Sequence, residues 1–135
     1  MQSGNQTAPS SKRRLWAGRI LSGIAVLFLV FDGVIKVMVI PPVVESMARL
    51  GWPVRLAPAL GILELLLIAV YLIPRTAVLG AILLTGYLGG AVATHVRIGD
   101  PLFTHALFPI YIAVLLWGGL FLRDDRVRTL LTPRT

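Results

Sequence analysis

The chain has no cysteine, which excludes disulfides, thiolate nucleophiles and Cys-ligated metals and leaves the redox state of its compartment open. It is short of acid, with six Asp and Glu against thirteen Lys and Arg in 135 residues. It is shorter still of charge where a soluble fold would need it. No Asp, Glu, Lys or Arg falls between Thr76 and Thr94, or between Asp100 and Arg123. Helices without a polar outer face do not make a soluble bundle. Signature catalytic motifs are missing too. There is no G-x-G-x-x-G, no phosphate loop after a strand and no H-E-x-x-H, and Ser22 and Ser46 lack the neighbours of a Ser-His-Asp triad.

What is present is oil. Apolar residues make up 56% of the chain and mean hydropathy is +0.83, too apolar for an ordinary soluble domain. Four stretches, Leu15–Val39, Ala57–Pro74, Thr76–Val96 and Pro101–Leu122, are each close to the about 20 apolar residues that cross a bilayer. The expected fold is therefore an all-α membrane protein, a four-transmembrane-helix antiparallel bundle over residues 15–123. Residues 1–14 read as a disordered basic tail, and 124–135 as a cytoplasmic tail. The first apolar run is too long for a signal peptide core and no A-x-A site follows it, so it is expected to stay attached.

The connections are informative. Pro41-Pro42 stops the first span, and Val43–Leu50 reads as a short amphipathic helix on the outer surface. Val43, Met47 and Leu50 share its face, Glu45 and Arg49 pair one turn apart, and Gly51 stops it. Pro74-Arg75-Thr76 permits only a tight turn. Gly86 and Gly90 form a G-x-x-x-G suited to close helix approach, within the bundle or in a homo-oligomer through this glycine-rich third span. Gly99-Asp100-Pro101 reads as a stop, an N-cap and a first-turn proline, and Pro109 is expected to kink the fourth span.

Positive charge follows the membrane. Lys12, Arg13, Arg14, Arg19, Arg75, Arg123, Arg126, Arg128 and Arg134 fall on one side; only Arg49, Arg55 and Arg97 fall in the two loops opposite. This places both termini in the cytoplasm. The net charge of +7 is a matter of topology, and no nucleic-acid partner is expected.

A few ionisable residues break the apolar runs. Asp32 and Lys36 lie one turn apart on the first span, as a candidate ion pair; Lys36 is near enough to the interface to snorkel outward. Glu64 falls near the centre of the second span, the most costly depth for a charge, where an ionisable group is a functional candidate. It also reads simply as a protonated carboxyl bonded to a neighbouring helix. With the spans alternating in direction, Asp32, Lys36, His95 and His105 gather in the outer half, with Glu64 as their floor. These five are the candidate ligand-binding residues, and no catalytic residue is assigned. A quinone or similar amphipathic molecule fits an apolar pocket with a few donors, such as His95, His105 or Tyr111. Two histidines on separate helices can ligate haem or a metal. Yet His95 and His105 flank a short loop, where polar residues belong anyway, so neither is expected.

Several segments together resemble a known family. They are Arg19-x-x-x-Gly23, Gly33-x-x-Lys36, Leu50-Gly51-Trp52-Pro53, Gly61-Ile62-Leu63-Glu64, Leu72-Ile73-Pro74-Arg75 and Gly89-Gly90-Ala91-x-x-Thr94-His95. In order and spacing they are similar to the DoxX-like family of small membrane proteins. The resemblance implies a four-helix integral protein of the bacterial cytoplasmic (inner) membrane. It also implies Lys36, Gly61, Glu64 and His95 as family positions, and a link to redox or oxidative-stress enzymes as partners. The missing cysteines argue against thiol chemistry. The function expected is a membrane component binding a small amphipathic, quinone-like ligand or a partner. The alternatives are a small solute transporter or proton conductor using Glu64, and a structural anchor.

The topology has a direct check, since the chain carries no background thiol. A single cysteine at Arg55 or Ile98 should react with a membrane-impermeant maleimide on intact cells, whereas one at Arg75 should react only after lysis.

Overall fold

The computed structural model describes residues 9–133. Those residues contain six α-helices and no strand: α1 (Pro9–Met38), α2 (Pro41–Leu50), α3 (Ala57–Leu72), α4 (Ala77–Arg97), α5 (Phe108–Arg123) and α6 (Asp125–Leu131). Four helical segments are long and apolar enough to cross a membrane. Leu27, Phe31, Leu66 and Val114 on them point outward, each at least 60% exposed. Such a surface is stable only against lipid. The protein is an all-α membrane bundle.

The four long helices form a closed ring in which α1 packs on α3 and α5, and α4 packs on α3 and α5. Short connections make chain neighbours antiparallel. The centre is filled by Leu29, Ile68, Tyr71, Leu84, Leu88, Leu116 and Leu120. Within it Tyr71 donates to the carbonyl of Leu116 at 2.8 Å and meets Ser22 Oγ at 2.7 Å, joining α3 to α5 and α1. Trp117 Nε1 donates to Thr85 Oγ1 at 2.7 Å, joining α5 to α4. Such bonds substitute for the hydrophobic drive that helices lose inside lipid.

Chain breaks fall at prolines and at left-handed residues. α1 stops just before Val39, whose φ of 54° is rare for a β-branched residue, and Pro41-Pro42 opens α2. Gly51, at φ 79°, closes α2: its N–H and that of Trp52 bond the carbonyls of Ala48 and Met47, a Schellman cap. α2 seats Val43 and Met47 against Ala57, Ile40 and Leu60, as its apolar face requires.

Several expectations need correcting. α1 begins at Pro9, so the segment read as a disordered tail to residue 14 is already helical from Pro9; residues 1–8 lie outside the described residues. Within the segment read as the C-terminal tail, residues 125–131 form α6, whose Val127 is buried; Arg134 lies outside the described residues. Arg49 bonds Asp100 rather than Glu45, and Asp100, so engaged, caps no helix. Pro109 does not kink a continuous span. Residues Leu102–Ala106 wind as a π-helical turn, and α5 starts afresh with Pro109 in its first turn, where a missing N–H costs nothing.

The glycines divide sharply. At Gly80 a Cβ would lie 2.4 Å from the Tyr71 backbone, and at Gly61 2.5 Å from the Gly33 carbonyl oxygen. At Gly86, Gly89 and Gly90 it would meet nothing within 4 Å. The G-x-x-x-G pair is thus not a packing seam inside the bundle. Gly80→Ala should cost about 1–3 kcal/mol, because backbone cannot yield to the added methyl. Gly89→Ala should be neutral or slightly stabilising. Thermal unfolding of both variants in mild detergent checks the contrast.

Candidate functional site

α1 carries Asp32 and Lys36 into the ring, α3 carries Glu64 and α4 carries Tyr87. Lys36 Nζ donates to Asp32 Oδ2 at 2.5 Å, to Glu64 Oε2 at 3.1 Å and to the Tyr87 hydroxyl at 3.1 Å. The Tyr87 hydroxyl donates in turn to Glu64 Oε2 at 3.1 Å. Lys36 therefore turns inward and does not snorkel. All three ammonium N–H groups are used. Glu64 is 0% exposed, and its second oxygen, Oε1, has no partner.

That ion cluster forms one wall of a cavity of about 460 Å³. Phe28 and Leu29 of α1, Met47 of α2, Leu60 of α3 and Ile112 of α5 supply apolar walls, and Trp52 stands at the edge. Gly86, Gly90 and Ala91 leave part of the α4 wall without a large side chain, which helps make room for the cavity. Phe28 and Phe108 meet edge-on at its wall, with ring centroids 5.1 Å apart.

His95 also borders the cavity. Its Nδ1 lies 2.5 Å from Asp100 Oδ2, while Arg49 Nη1 lies 2.6 Å from Asp100 Oδ1. Arg97 donates to the carbonyl of Leu50. These contacts tie α2 to the end of α4 and hold α2 over the cavity. His105 stands apart. Its side chain is exposed and bonds Thr104, its ring is 6.3 Å from that of His95, and it does not line the cavity. Tyr111 bonds the carbonyl of Phe103 and is likewise turned away.

Of the five residues read from the sequence, Asp32, Lys36 and Glu64 come together, His95 lies at the rim and His105 outside. Tyr87, Phe28 and the Gly86/Gly90 wall were missed as site residues. Tyr87 carried a usable signal, a hydroxyl near the middle of an apolar span.

A model described as the DoxX-like family matches residues 20–119, which spans every residue of this cavity. No curated protein and no solved structure matches the chain.

The Asp100 clamp has a pH signature. The hydrogen bond with His95, and behind it the bond and charge of Arg49, hold the Asp100 carboxyl below its ordinary 3.8. A depressed carboxylate stabilises the fold above its unfolded value and loses that contribution as pH falls through the lower folded value. The difference in thermal midpoint between the parent protein and Asp100→Asn should be constant above about pH 5 and shrink as pH drops below 3.8.

Proposed function

The chain belongs to the DoxX-like family, and from that premise we propose that it binds a small amphipathic ligand, of about the bulk of a quinone ring with a short tail, in the cavity between α1, α3, α4 and α5. One observation carries this reading: an apolar cavity of about 460 Å³ is lined by Glu64, whose buried Oε1 has no partner. The volume falls in the roughly 300–1,000 Å³ range of small-molecule sites, which pair apolar walls with a few placed polar groups. An unpaired buried polar atom costs about 1–3 kcal/mol, and a ligand group at Glu64 Oε1 would recover it.

Asp32, Lys36, Glu64 and His95 are the binding residues in this reading, with Tyr87 added and His105 outside the first contact. The site belongs to the outer half of a bacterial cytoplasmic membrane, with both termini cytoplasmic, on the distribution of arginine and lysine. Family membership supports a role as a membrane component of a redox or oxidative-stress-linked system, with an enzyme of that system as partner. A purely structural anchor would have no use for a cavity beside its packed core. The hollow favours ligand binding over that alternative.

The bare α4 wall supplies the experiment. Leucine at Gly90 would project into space that is empty within 4 Å of its Cβ. Gly90→Leu should weaken retention of the small molecule that co-purifies in mild detergent at least tenfold, read by mass spectrometry of the extracted ligand. The unfolding temperature should stay within a few degrees. Undiminished retention in Gly90→Leu, or no retained molecule in the parent protein, would overturn the reading.

A further inference from the structure

The hydrogen-bond count around Lys36 says what kind of head group this end of the cavity can take. Lys36 has spent its three donors on Asp32, Glu64 and Tyr87, and Tyr87 has spent its own on Glu64. No donor in the cluster is left for a ligand carbonyl. What remains are acceptors: Glu64 Oε1, fully buried and unpartnered, and the free oxygen of Asp32, whose side chain is 30% exposed.

The charge count agrees. Two carboxylates face one ammonium, which leaves one negative charge uncancelled in a low-dielectric wall, a costly state. Among the described residues, no other element cancels it. From α4 the facing titratable groups are Tyr87 and, at the rim, His95, already bonded to Asp100. From α2 the cavity receives Ser46, Met47 and Leu50, and from α5 Phe108, Pro109 and Ile112, none of them charged. The site is balanced only with one more positive charge. That charge is either a proton, for which Oε1 is the vacant seat, or a cation in the cavity. Phe28, Trp52, Tyr87 and Phe108 line the same space, and aromatic faces attract organic cations.

We propose that the cavity takes a monovalent organic ammonium with an apolar body, and that this cation and a proton occupy the Glu64 site in alternation. The inference rests on the ligand-binding reading above and names the head group of that ligand. When the ammonium enters, the Glu64 side chain turns to offer Oε1 to its N–H, and the proton held there leaves to water. When it departs, a proton returns.

The test compares two probes of the same shape, phenylbutylammonium and phenylbutanol, on the full chain in phosphatidylcholine nanodiscs. The ammonium should bind at least tenfold more tightly than the alcohol. In weakly buffered solution it should release close to one proton per molecule bound, with affinity rising toward tenfold per pH unit on the acid side of the exchange. Glu64→Gln should abolish both the preference and the release. The proton count on the parent protein decides the matter even if that variant fails to fold. Binding of the alcohol as tight as that of the ammonium, or ammonium binding without proton release, would overturn the charge assignment and leave the ligand pocket standing. Binding of neither probe, with Gly90→Leu indistinguishable from the parent protein, would remove both.

Discussion

A lysine held by two carboxyls and a phenol inside an apolar ring is the constraint around which this bundle is arranged. In lipid a lone ammonium or carboxylate is expensive, and the expense falls only when partners from other helices arrive in register. Lys36 requires α3 to present Glu64 and α4 to present Tyr87 at one depth. That sets how the three helices slide against one another. Leucine-rich faces cannot do this, since they pack almost equally well one turn up or down. The Ser22–Tyr71–Leu116 bonds fix the register a second time, at a layer nearer the termini.

Most of the fold is legible in the sequence because hydropathy and proline placement are local signals. Four apolar runs, Pro41-Pro42, the Pro74 turn and the Gly51 cap are read residue by residue, and the structure has them. Asp32 and Lys36 one turn apart likewise become the pair they suggest. What failed needed three dimensions. Glu45 and Arg49 satisfy the helical spacing rule, yet Arg49 finds Asp100, two helices later in the chain. Lys36 satisfies the depth for snorkelling, yet the acceptors of Asp32, Glu64 and Tyr87 outcompete the interface. Pro109 satisfies the rule for a kink, but the turn before it had already unwound.

The glycines show the same division. Gly61, Gly80, Gly86 and Gly90 look alike in an apolar run. Gly61 and Gly80 admit another helix backbone, while Gly86 and Gly90 face open space. A G-x-x-x-G spacing places both of its members on one face and says nothing about what that face meets. Here it meets the cavity, so the motif shapes a void instead of closing a seam.

The α2 roof has a mechanical consequence. Its polar tethers, from Arg49 to Asp100 and from Arg97 to Leu50, both join it to the end of α4 and the start of the α4–α5 connection, not to α1 or α3. The roof and that connection are thereby yoked as one unit, hinged where α1 stops at Val39. Traffic between the aqueous side and the hollow would strain this unit and its apolar seat on Ala57 and Leu60, while the leucine-filled layer beneath stays at rest.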